Sequence, residues 1–204
     1  MTVEKLEISS GFALAMALLY YLDRDEIVPW VLAACAAHEL GHWWTIQRLG
    51  GRVVRLRLSC SGAELRLSAV HSLSSGRMIL AALAGPAVNS VLALLAARLA
   101  RLGAGERLYL FAGLNLGLGC FNLLPVGWLD GGRVLTGIFS VLGREEVGRK
   151  VVELCSAGTT ALLGAAGAYL LWQSGGRNFT LLIAAIWMGN AAVLERRRGR
   201  ETAW

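Results

Sequence analysis

The chain has 204 residues, one domain's worth by length, of which 55% are hydrophobic and only 17% charged. An ordinary globular domain is about a quarter charged; this balance, with a mean hydropathy of +0.54, excludes a disordered chain, a collagen-like repeat and a disulfide mini-scaffold. The net charge of +6 does not mark a nucleic-acid binder, because most arginines lie in the connections between apolar runs.

Six apolar runs follow in order, at about 8–22, 27–47, 78–97, 108–129, 154–176 and 178–194. A membrane-crossing helix needs roughly 20 such residues, and bare loops cannot sit in lipid, so a helical bundle is expected. The first run is not read as a cleaved signal peptide, since Glu4 and Glu7 precede it against a lone Lys5. The expected fold is an all-α membrane protein of about six transmembrane helices, forming a single integral-membrane domain over residues 1–204.

Between the second and third runs the pattern changes. Residues 53–60 and 63–69 alternate apolar and polar side chains around Ser61-Gly62, which predicts a small β-hairpin. Residues 3–8 offer a third strand. The hairpin stands either in the cytoplasm or against the membrane surface, where an exposed edge can pair with an unwound substrate strand.

Lys and Arg alone set orientation. If all six runs cross from a cytoplasmic N-terminus, 15 of the 20 basic residues fall inside, against Arg24, Arg98, Arg101, Arg107 and Arg177 outside. Both termini are therefore expected in the cytoplasm. The run Glu195–Arg200 holds four arginines and fits anionic lipid better than nucleic acid.

Ionisable side chains inside an apolar run are expensive and default to function. Besides Cys35, the 27–47 run holds only His38, Glu39 and His42, and Asp130 closes the 108–129 run. His38-Glu39-Leu40-Gly41-His42 reads H-E-x-x-H: on a helix both imidazoles share a face and can meet one zinc ion, with Glu39 beside them as a base. The competing reading is a pair of helix histidines bonded to neighbours. Catalytic zinc takes three protein ligands and a water. The sixth residue after His42 is Arg48 and not a further histidine; His71 lies in the polar stretch after the hairpin. Glu64, Glu106, Glu145, Glu146 and Glu153 fall in connections. Asp130 follows Pro125 and Gly127 and precedes Gly131 and Gly132, which predict a helix break that turns it back towards the histidines. The plain alternative, a helix-terminal turn Asp, yields to the ligand reading once the zinc motif is counted.

His38–His42, then Gly85-Pro86-Ala87-Val88-Asn89, then Asn122-x-x-Pro125 and Asp130-Gly131, in that order, resemble the site-2 protease family of intramembrane zinc metalloproteases. The resemblance covers about residues 27–135, the expected catalytic core. It implies one Zn²⁺ per chain held by His38, His42 and Asp130, Glu39 as general base, and Asn122 positioning substrate or stabilising the oxyanion. Glu39 would take a proton from water and return it to the leaving amine. Asn89 is read equally as catalytic or as an interhelical hydrogen bonder. With no room for a PDZ insertion between the second and third motifs, and none for a CBS module after the last run, the chain is most similar to the minimal branch that processes sporulation transcription-factor precursors. That branch implies a membrane-embedded or membrane-tethered protein substrate, an inhibitory membrane partner, and a bacterial-type cell membrane.

Two rivals belong to other classes. A catalytically silent membrane protein of the same fold has no need of Glu39. A metal transporter would show paired broken helices in matching halves, and the sequence has none. Cys35, Cys60, Cys120 and Cys155 form no C-x-x-C pair and are read as packing residues.

The arginine asymmetry is tested with Gly105→Cys and Gly199→Cys, each in a cysteine-free background. An impermeant external thiol reagent should label position 105 and spare position 199; the reverse pattern inverts the topology.

Overall fold

The computed structural model describes residues 5–51, 53–59, 62–67 and 73–201. They fall into two compact units, Met1–Leu123 and Leu124–Trp204. The first contains β1 (Lys5–Ile8), α1 (Ser10–Leu22), α2 (Val28–Arg48), β2 (Val53–Ser59), β3 (Gly62–Leu67), α3 (Ser75–Arg101) and α4 (Arg107–Asn122). The second contains α5 (Asp130–Val141), α6 (Glu145–Gln173) and α7 (Thr180–Glu201).

In the first unit, α3 is the central element and packs against both α2 and α4. Its buried residues include Ala82, Pro86, Asn89, Ala93, Ala96 and Ala100, spaced four, three, four, three and four apart. That is the seam period of helices that cross at a shallow angle. Every residue on it is small or an asparagine, so the backbones approach closely, as membrane helices do when lipid leaves no hydrophobic force between them. The large side chains point the other way: Leu94 is 68% exposed, and in the second unit Leu154 and Leu162 are 75% and 71% exposed. Apolar surface on this scale does not survive in water; in hydrocarbon it has no cost.

Local signals explain the helix ends. The two carboxylate oxygens of Asp23 accept from the backbone N–H groups of Ile27 and Val28 at 2.9 and 2.8 Å, capping α2, where Pro29 has no N–H and needs no acceptor. The other end of α2 closes with Gly50 at φ +86° and the Gly51 N–H on the Ile46 carbonyl at 2.9 Å, a six-to-one closure that needs a residue in the left-handed region. Gly103 closes α3 in the same way.

β1 pairs parallel with β2, and β2 antiparallel with β3, in the order β1-β2-β3. Leu56 lies opposite Leu65 across the antiparallel pair. Of the turn expected around Ser61-Gly62, Ser61 lies outside the described residues and Gly62 begins β3.

Two expectations need correction. The 108–129 run is not one helix, because α4 ends at Asn122 and α5 begins at Asp130. Glu145, Glu146 and Glu153 do not lie in connections: α6 starts nine residues before its apolar run and includes them, since a charged turn ends an apolar window without ending a helix. Among the described residues two helices, α3 and α6, are long and apolar enough by length and composition to cross a membrane; α1 and Thr180–Asn190 are apolar but shorter, and α2 carries three ionisable side chains at its middle.

In the second unit, α6 packs against α7 through Gly167, where an added Cβ would stand 2.6 Å from the Leu182 nitrogen and 2.9 Å from its Cα. Gly164, one turn earlier, would meet only Ala185 Cβ at an ordinary 3.8 Å. Gly167→Ala should therefore lower the thermal midpoint in detergent, at a cost of about 1–3 kcal/mol for overpacking. Gly164→Ala should be neutral or stabilising, by up to about 1 kcal/mol of helix propensity.

Candidate metal centre

His38 and His42 stand at the middle of α2, one turn apart, and both are buried at 5% exposure. Their rings meet edge to face with centroids 4.7 Å apart, and their Nε2 atoms lie 3.1 Å from each other. Each Nδ1 faces an oxygen acceptor: His38 donates to Oδ1 of Asn89, and His42 to the Ala81 carbonyl at 2.8 Å. Both acceptors come from α3. With the protons held on Nδ1, each ring presents its lone pair at Nε2, the tautomer in which histidine ligates a metal.

The fit to zinc is testable on that separation. Two nitrogens each about 2.0–2.1 Å from a tetrahedral zinc lie about 3.3 Å apart, close to the observed 3.1 Å. Two converging lone pairs at that distance also repel unless a proton or a cation stands between them. The donor set is a borderline nitrogen and oxygen set of the kind zinc takes.

The close approach is enforced by glycines on both helices. On α2, a Cβ at Gly41 would stand 2.9 Å from the Ala84 carbonyl oxygen and the Val88 side chain of α3. On α3, a Cβ at Gly85 would overlap His42 Nε2 and press on the Cε1 atoms of both imidazoles. The Gly85-Pro86 element therefore has a spatial reason: residue 85 faces the rings and must lack a side chain. Pro86 sits inside α3 and removes one backbone donor, and Ser90 Oγ donates to its carbonyl at 2.8 Å.

Glu39 follows His38 and is half-buried. Asp130 is the first residue of α5 and buried at 4% exposure, with Arg133 Nη1 3.9 Å from its Oδ1; a carboxylate in a first helical turn is favoured by the helix dipole. It does not close a run before a glycine turn, as its sequence neighbours had suggested. Gly131 and Gly132 lie inside α5, and a Cβ at Gly132 would overlap the Val126 carbonyl, so the glycine admits the preceding loop against the helix. All three expected ligands, His38, His42 and Asp130, are buried.

Asn122 ends α4, half-buried, with its Nδ2 donating to the Leu118 carbonyl at 3.0 Å. Asn89 is fully buried, and its role is now visible as the oxygen partner of His38. The sequence reading passed over Asn115, equally buried, which joins Asn89 at 2.8 Å. Its signal was available, as one of few polar residues in an apolar run, but a buried asparagine there reads first as helix glue. His71 lies outside the described residues.

Peptidase family M50 matches residues 96–166, a stretch that includes Asn122, Pro125 and Asp130 and leaves out His38–His42. No curated protein matches the chain. Among solved structures the chain is similar to the site-2 protease from Methanocaldococcus jannaschii, with a TM-score of 0.68 and 20% identity over 93% of this chain and 89% of that one. At that identity the likeness is one of fold. The match of family and the match of fold meet the resemblance read from the sequence and support a membrane metalloprotease.

Gly85→Ala should push the imidazoles apart and reduce zinc bound per chain at least tenfold, with helical content unchanged. Gly113→Ala, where an added Cβ meets nothing within 4 Å, should keep full zinc. Metal analysis and far-ultraviolet circular dichroism of the purified variants check both.

Proposed function

We propose that the chain is an intramembrane zinc endopeptidase that hydrolyses a peptide bond of a membrane-embedded or membrane-tethered protein. The observation that carries this reading is the buried histidine pair of H-E-x-x-H, tied at both Nδ1 atoms and converging at Nε2. His38, His42 and Asp130 would hold the ion, the three-ligand set that catalytic zinc takes. When bound, Zn²⁺ supplies Lewis-acid polarisation and makes a water acidic enough to ionise near neutral pH.

Glu39, adjacent to His38 and outside the ligand set, takes the proton from the attacking water and passes it to the leaving amine. Asn122 uses one amide hydrogen on the Leu118 carbonyl; the second N–H of the same nitrogen is the donor for a developing oxyanion. His38 stands ten residues from either end of α2, about 15 Å along the axis, so the scissile bond must be brought to mid-helix depth. A substrate helix has to unwind there before its carbonyl can react. β3 is an edge strand, and pairing with it would hold such a segment extended. Likeness to the minimal branch of the family points to a transcription-factor precursor as substrate, with an inhibitory membrane partner as regulator. Both termini stand in the cytoplasm in this reading, which the arginine asymmetry supports.

Glu39→Gln should abolish cleavage of a co-expressed membrane-tethered precursor while zinc per chain stays at the wild-type level. His38→Ala, His42→Ala and Asp130→Ala should each lose zinc, and His71→Ala should not. Turnover by the Glu39 variant near the wild-type rate would overturn the mechanism, and full zinc in the Asp130 variant would remove it from the ligand set.

A further inference from the structure

We infer that Asn115 is a positioning residue for the metal centre, acting through Asn89 to fix the tautomer of His38. The inference rests on the zinc reading above and extends it to a residue in none of the sequence motifs.

Three helices share one polar chain. Asn115, in the middle of α4, donates through Nδ2 to the Phe111 carbonyl of its own helix at 2.9 Å. Its amide is thereby turned so that Oδ1 faces α3, where it accepts from Asn89 Nδ2 at 2.8 Å. The second hydrogen of that nitrogen goes to the Ala34 carbonyl of α2 at 3.3 Å. Both hydrogens of the Asn89 amide are then taken, and its oxygen is the atom left facing His38 Nδ1.

The direction of this chain has a chemical consequence. An asparagine amide can turn over, and a turned Asn89 would present NH₂ to His38 Nδ1, forcing the ring proton onto Nε2 and removing the ligand lone pair. Turning it over also sets the Asn89 oxygen against two other oxygens, those of Ala34 and Asn115. Ala34 contributes a backbone carbonyl, which no side-chain change removes; Asn115 contributes the side-chain oxygen, at the shorter distance. Asn89 and Asn115 are both fully buried, so no water competes for these atoms and each is bound by the geometry of its partners. Interhelical glue alone would not require a particular direction of donation. Control of the tautomer does.

The test compares Asn115→Leu, similar in size but without an acceptor, with Asn115→Asp, which, carried as the neutral acid in a medium that does not solvate charge, keeps an acceptor oxygen for Asn89 and an O–H donor for the Phe111 carbonyl. Zinc affinity is measured by competition with a chromophoric chelator on the full chain in detergent, with circular dichroism as the folding control. Removal of a residue that supports a metal ligand weakens affinity by about 10–100-fold; Asn115→Leu should fall in that range and Asn115→Asp within about threefold of wild type. In zinc-loaded wild type labelled with ¹⁵N-histidine, the nitrogen shifts of His38 should place the proton on Nδ1. A proton on Nε2 overturns the inference whatever the variants do, including a Leu variant that fails to fold. Wild-type affinity in a folded Asn115→Leu overturns it alone, and so does an Asp variant as weak as the Leu variant. A wild type that takes up no zinc fails the metal-centre reading first, and the inference with it.

Discussion

Everything near the histidine pair depends on one close approach: the backbone of α3 at Gly85 stands where any side chain would occupy the space of the imidazoles. That contact fixes how far α3 can be from α2. The distance in turn brings the Ala81 carbonyl and the Asn89 amide within hydrogen-bonding reach of the two Nδ1 atoms. A helix pair spaced for leucines would leave both rings without oxygen partners, and a buried imidazole without them costs about 1–3 kcal/mol in lost hydrogen bonding. The small-residue seam of α3, from Ala82 to Ala100, is thus the packing counterpart of the site. Cohesion here comes from close contact and buried amide bonds, since burial of apolar surface yields nothing between helices already in lipid.

What was legible in the sequence was what breaks an apolar pattern. His38, Glu39 and His42 stand out because the run around them is otherwise uncharged, and their spacing states their geometry. Asp130 stood out for the same reason, though its setting was misread: glycines after an acid look like a turn, and here they lie inside a helix because Gly132 lets the Val126 backbone come close. The break after Asn122 was signalled by Pro125, but Leu123 and Leu124 are as apolar as the helix before them, so hydropathy alone carried the run through. Asn89 was legible as a motif residue and not as a role, because a role needs to know which atom it faces. Asn115 was legible only as one of few polar residues in an apolar run; its part depends on three helices meeting, and no local pattern encodes that.

The choice of amides around the histidines follows from charge. In the proposed site a divalent ion with two neutral imidazoles and the carboxylates of Asp130 and Glu39 would sum to zero, the state that costs least in a medium unable to solvate charge. Soluble zinc enzymes commonly orient a ligating histidine with a carboxylate. A third carboxylate at position 89 would leave this site with an uncompensated negative charge at the middle of α2, about 15 Å from either end of the helix. An asparagine oxygen accepts the same hydrogen bond with no charge. The amide, however, brings an ambiguity the carboxylate lacks, since its two ends differ and only one suits the ring. A neutral partner therefore needs a second residue to hold its direction, and a fully buried asparagine on the next helix does so while satisfying its own donor on its own backbone.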